Sequence, residues 1–188
     1  MPKIIGESLA SHRELTRARL FEALGSLMGE QSFESITMSQ IAERAGVGRT
    51  AVYNHFADKE VLLLAYMREV TIEFARVLKQ RLEAEPDPLI RLRIYIRSHL
   101  QMIGRYHVKA GMGLRRQMSG QGASHLHDHA GLVGEVLIGI LDEAMECGQI
   151  AEQNTLGAVH LIHATLQGQR LPKDPEHREV ALALVETF

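Results

Sequence analysis

The sequence predicts an all-α protein, with an N-terminal three-helix helix-turn-helix domain at residues 10–58 and a C-terminal helical bundle over 59–188. Three observations carry this. Apolar residues recur at helical spacing through most segments, as in Leu20, Phe21, Leu24, Leu27 and Met28. No convincing strand or internal repeat interrupts them. One stretch, TMSQIAERAGVGRTAVYNHFADKE from Thr37 to Glu60, sets two short helices around a glycine turn.

The first ten or so residues lack a sustained period and read as a loose tail. Helix one follows from Arg13 to about Gln31, closed by Gly29 and the segment QSFES. Phe33 and Ile36 are expected to plug the same small core. Thr37-Met-Ser-Gln40 forms a capping box, in which the Thr37 hydroxyl accepts from the Gln40 amide and the Gln40 side chain reaches back. Gly46 suits the left-handed position that stops a helix. The next helix, about Arg49–His55, buries Val52 and Phe56. Asp58 caps a long helix with Val61, Leu62, Ala65, Met67, Val70, Phe74 and Leu78 on its inner side, ending near Leu82 before Pro86 and Pro88.

Beyond Pro88 one face is marked by Leu89, Leu92, Ile96, His99, Ile103 and Tyr106. A glycine-rich region at 107–124 reads as a short helix near Met112–Met118 and then a mobile loop. Further helices are expected at Leu132–Glu146, ended by Gly148, at Asn154 to about Gln169, and at Glu176–Phe188.

Composition excludes little. The chain has 188 residues, 45% hydrophobic and 23% charged, ordinary for a soluble globular protein of one or two small domains. No apolar run approaches the roughly 20 residues of a membrane span. The N-terminus carries charges and no apolar signal core, so a cytoplasmic location is expected. The single cysteine, Cys147, is expected to be a buried thiol in a reducing compartment. Net charge is −2. Residues 1–60 hold Lys3, Arg13, Arg17, Arg19, Arg44, Arg49 and Lys59 against eight Asp or Glu. A nucleic-acid reading therefore has to rest on where basic groups sit.

Helix–glycine–helix is common in plain helical cores. The polar set on the second helix is what favours DNA. Arg49, Thr50 and Asn54 suit base edges: Arg pairs with guanine O6/N7, Asn with adenine N6/N7, and a Thr methyl meets a thymine methyl. Tyr53 and His55 offer donors for phosphate oxygens. Thr37, with the free amides of its helix N-terminus, and Lys59, at the start of the long helix, add two further phosphate sites. These groups flank a helix sized for the major groove.

Thr37, Ile41-Ala42, Ala45-Gly46-Val47, Val52-Tyr53, His55-Phe56 and Lys59-Glu60, with Phe33-Glu34 before them, give a pattern that resembles the TetR/AcrR family of bacterial transcriptional regulators. The resemblance covers about residues 13–66. The remainder matches only in length and helical layout. Gly48 departs from the pattern, which often has Ser or another capping residue there. Glycine caps more weakly, so the recognition helix is expected to gain order on DNA. The resemblance implies a cytoplasmic homodimer that binds a palindromic DNA operator, usually as a repressor. It also implies an effector-binding and dimerisation domain after Lys59, with the long helix relaying effector binding to the recognition helices. Two such helices occupy successive major grooves only near one DNA repeat, ~34–36 Å apart, or a multiple of it.

The last two helices, about 154–169 and 176–188, are the candidate dimer interface. Leu156, Val159, His160, Ile162, His163 and Leu166 on one, and Val180, Leu182, Ala183 and Leu184 on the other, are more apolar than two exposed helices need. An effector pocket is expected among Met67, Phe74, His99, Met102, Ile103, Met118, Leu132, Val136 and Ile140, suited to a small apolar or aromatic molecule. Each could equally be plain core, and His99 could be a satisfied core histidine. A metal-responsive regulator is the alternative: His125 and His129 share a helix face at i, i+4, a spacing compatible with a transition metal, with His107 or His99 completing a set. No nucleophile elbow, P-loop or dinucleotide fingerprint is present, so no catalytic residue and no required cofactor is assigned.

Overall fold

The computed structural model describes residues 3–106, 120–168, 172 and 174–184, without side chains at 3–10, 104–106, 120–132, 167–168, 182 and 184. Among the described residues all regular structure is helical: α1 (Lys3–Glu30), a 3-10 turn (Phe33–Ser35), α2 (Met38–Ala45), α3 (Arg49–His55), α4 (Lys59–Leu82), α5 (Pro88–Tyr106), α6 (Gly120–Glu146), α7 (Thr155–Gly168) and α8 (Pro175–Leu184). The chain divides into two compact units, residues 1–67 and 68–188.

In the first unit α1 starts at Lys3, so the segment expected as a loose tail is helical. Extending a nucleated helix adds one hydrogen bond per residue fixed, and this segment holds no proline inside the helix to stop it. Leu20, Leu24 and Leu27 of α1 are buried, as are Phe33, Ile36, Ile41, Val52 and Phe56. Phe21 sits between the Phe56 and Tyr66 rings, at 5.8 and 5.9 Å. Gly25 is a close-approach position: a Cβ there would lie 2.7 Å from the Tyr66 hydroxyl.

The inner face of the long helix differs from its expected stripe. Val61 is exposed, whereas Leu63 and Tyr66 are buried beside Leu62, Met67, Val70, Phe74 and Leu78. A helix gripped along more than one line buries a wider arc than a single i, i+3/i+4 stripe. Asp58 caps this helix, accepting from the Glu60 and Val61 amides at 2.8 and 2.9 Å.

The second unit is built on one core of Phe74, Leu78, Leu82, Tyr95, Leu100, Val133, Leu137, Ile140, Leu141, Val159 and Leu166. Asn154 caps α7 through the Gly157 amide at 2.7 Å, and Asp174 caps α8 through the His177 amide at 2.9 Å. Arg91 pairs with Glu143, Arg97 with Glu179, and Thr155 donates to Asp142. α6 begins at Gly120, twelve residues ahead of its expected start, so the glycines at 120, 122, 131 and 134 lie within a helix and not in a loop. The expected short helix at 112–118 lies outside the described residues. Gly148, at φ 67°, follows the end of α6. Cys147 is exposed, because it falls in the turn beyond that helix, away from the core. No described helix is long and apolar enough to cross a membrane.

Candidate nucleic-acid interface

Local chemistry fixes the two helices that present the site. Thr37 has extended backbone, φ −115° and ψ 154°. Its Oγ1 accepts from the Gln40 amide at 3.2 Å, while its own amide donates to Gln40 Oε1 at 2.8 Å. This reciprocal pair satisfies two of the orphan donors at the start of α2. At the other end Gly46 takes φ 64° and ψ 33°, and the Val47 amide closes back onto the Ala42 carbonyl at 3.0 Å. A side chain at Gly46 would be strained by that backbone alone. Gly48 then opens α3 without a side-chain cap.

α3 is anchored by Val52, fully buried, and by Phe56 just past its end. Its outer face carries Arg49, Thr50, Tyr53 and Asn54, all exposed, and Thr37 is exposed at the start of α2. His55 is half-buried, and its pKa is lowered by burial first and then by the positive charges of Arg13 and Arg17 and by His12. Neutral His55 keeps one ring N–H as a donor.

Two basic residues of this unit are engaged elsewhere. Lys59 directs its ammonium at three carbonyls, Phe33 at 3.1 Å, Glu34 at 2.8 Å and Ile36 at 3.0 Å, and lies 4.9 Å from the centre of the Phe33 ring. An ammonium has three protons. All three are spent on holding the Phe33–Ile36 turn to the start of α4. Arg44 makes a forked pair with Glu30, at 2.7 and 2.8 Å, and also donates to Ser26 at 2.6 Å. It joins α2 to α1, and each partner holds the other in its charged form.

Sequence reasoning did not single out Arg13 and Arg17. They lie one helical turn apart on α1, and the Arg17 guanidinium sits 5.0 Å from the Phe21 ring centre and 6.0 Å from that of Phe56. Their i, i+4 spacing was visible; their approach to His55, about forty residues on, was not.

The expected pocket residues are not gathered by one observation. Met67 is buried in the first unit, and Phe74 and His99 are buried in the second. Met102 and Val136 pack on the second core, and Ile103 is half-buried. His107, Met118 and the side chains of Leu132, His125 and His129 lie outside the described residues. Among the described residues no group of three or more His, Cys, Asp or Glu could hold a metal ion.

Comparison with known proteins places this geometry. Residues 20–66 match the family model described as bacterial regulatory proteins, tetR family. The HTH-type transcriptional regulator BetI of Burkholderia ambifaria is 32% identical over 100 residues, 53% of this chain and 48% of that protein. The chain thus spans about half the length of the curated relatives it matches. Among solved structures, FadR from Bacillus subtilis in complex with stearoyl-CoA superposes with a TM-score of 0.72 at 18% identity, covering 90% of this chain and 94% of that one. AibR in complex with isovaleryl coenzyme A and operator DNA gives 0.73 at 17% identity, covering 92% and 97%. At these identities the likeness speaks to the fold.

Proposed function

Because residues 20–66 match the family model of bacterial regulatory proteins, tetR family, we propose that the chain is a member of that family, a ligand-responsive repressor that binds a palindromic operator as a homodimer. The observation that carries the DNA reading is the outer face of α3. Arg49, Thr50, Tyr53 and Asn54 stand exposed on a short helix fixed from beneath by Val52 and Phe56. Arg49, Thr50 and Asn54 read base edges. Tyr53, His55 and Thr37 contact phosphates, and Arg13 and Arg17 add positive charge beside His55. Lys59 instead braces the start of α4, its ammonium held by the Phe33, Glu34 and Ile36 carbonyls.

Dimerisation is assigned to α7 and α8. Leu156, Leu161 and Val180 are exposed there, while Val159 and Leu166 of α7 are buried within the subunit. Exposed leucines on a helix whose other face is already packed suit a second copy of the chain. The effector binds in the second unit, and its class is a small molecule with a largely apolar body. Two chains of the same fold hold acyl-coenzyme A molecules, so such thioesters are the first compounds to test. An effector that favours a misspaced dimer weakens operator binding by the same coupling factor.

The test is selection of bound duplexes from a random pool, followed by affinity measurements on the enriched sequence. Arg49→Ala and Asn54→Ala relax base preference at one position each, worth about 1–3 kcal/mol for a bidentate contact. Tyr53→Ala weakens binding across all sequences. Unchanged affinity and preference in all three variants would refute the assignment.

A further inference from the structure

The second unit buries a polar ring that its packing does not require. His99 of α5 is 6% exposed, and neither of its ring nitrogens has a hydrogen-bond partner. A neutral imidazole carries one donor and one acceptor. A buried donor or acceptor left unmade is costly, and an apolar ring would fill the same room without that cost. Phe74 of α4 meets the His99 ring edge-on at 5.8 Å, and Tyr95 lies 5.9 Å from it. His163 of α7 stacks on it at 5.6 Å with 23° between the planes.

The neighbouring ring is engaged. His163 Nε2 lies 2.7 Å from the Tyr95 hydroxyl, which also reaches the Val133 carbonyl at 3.2 Å. One imidazole is therefore locked into the helix packing, and the one stacked on it offers its hydrogen-bonding groups to something else. Burial first, and His163 second, keep His99 neutral down to about pH 4.

We propose that His99 is the polar anchor of the effector site, and that the part of the effector buried there is a neutral, largely apolar body carrying a hydroxyl or carbonyl group that hydrogen-bonds this imidazole. This rests on the effector-responsive reading above. Phe74 and Tyr95 give the aromatic walls, and His99 gives direction. An anionic group fits worse against this ring, because a neutral buried imidazole supplies no countercharge for it. A metal ion fits worse as well. Imidazole lone pairs lie in the ring plane, and two nearly parallel stacked rings cannot aim them at one ion.

The experiment uses the full chain, labelled with ¹⁵N and ¹³C, titrated with a para-alkylphenol and with the alkylbenzene that lacks only its hydroxyl. The phenol is expected to shift the His99 ring resonances and to bind about two- to tenfold tighter than the arene, the size of one net hydrogen bond. His99→Phe keeps an aromatic ring and loses both nitrogens. It is expected to melt at a higher temperature and to bind the two compounds equally. Equal binding to the unmodified chain, with His99 resonances unmoved, would overturn the role of His99 and leave an effector site standing. If neither compound nor isovaleryl-CoA binds, the effector reading of this unit falls and the proposal with it. Zinc shifting both imidazoles at micromolar concentration would replace the proposal by a metal site.

Discussion

Replacing Lys59 with methionine separates two jobs that a lysine in this position could do. The methionine keeps most of the aliphatic stem and removes the ammonium, leaving the Phe33, Glu34 and Ile36 carbonyls without their donor. A hydrogen bond to a charged group contributes about 1.5–3 kcal/mol, and the contact with the Phe33 ring adds about 0.5–1 kcal/mol. The three bonds do not add in full. Glu34 is exposed and Lys59 half-buried, so water takes over part of the loss. We expect a destabilisation of about 2–3 kcal/mol, read from urea unfolding of the full chain. The same variant is then bound to a labelled random-sequence duplex by fluorescence anisotropy at several salt concentrations. Each phosphate neutralised contributes about −0.9 to the slope of log affinity against log salt. If Lys59 is a brace, the slope is unchanged. A slope reduced by about one, with stability unaltered, would refute the reasoning and make Lys59 a phosphate ligand.

Two further outcomes follow from the geometry. The His99 pKa is depressed to about 4, chiefly by burial, below its unfolded value of about 6.5. The unfolded chain then binds more protons between these values, so this stability is present above about pH 6.5 and is lost as pH falls through about 4, at up to about 1.4 kcal/mol per pH unit. His163 is shifted in the same direction. Urea midpoints measured from pH 7 to 4 should fall accordingly, and His99→Phe should flatten the dependence. At Gly48 a Cβ meets nothing within 4 Å and the backbone is extended, so Gly48→Ser supplies the missing cap of α3. It should raise stability by a few tenths of a kcal/mol, seen as slower amide exchange in residues 49–55; faster exchange would contradict the capping account.

The helix-turn-helix was legible because its signals are local. The capping box spans Thr37 to Gln40, and the left-handed turn rests on Gly46 alone. The unread features all depend on distant partners. The carbonyls that hold Lys59 come from 23 to 26 residues earlier in the chain, and a lysine beside a glutamate at a helix start carries no mark of them. Tyr95 is fully buried and meets His163 across 68 residues, yet the α5 stripe read from Leu92 and Ile96 passes it by. Val61 looks like core by side chain and is exposed, since its face of α4 is turned away from the packed arc. Periodicity says that a helix has an inner side; which residues fill it depends on the neighbours.

On the proposed DNA-binding reading, the forked pair of Arg44 with Glu30 has a consequence for how the protein searches a chromosome. With Arg44 and Lys59 committed inside the first unit, and acidic residues outnumbering the basic ones there, little net positive charge remains for gripping DNA of arbitrary sequence. Such a protein dwells briefly at wrong sites. Few copies are then sequestered along the genome, and occupancy of the correct site depends on the ratio between right and wrong sequences more than on abundance. Freeing Arg44 by removing its acidic partner would add grip everywhere at once and erode that ratio.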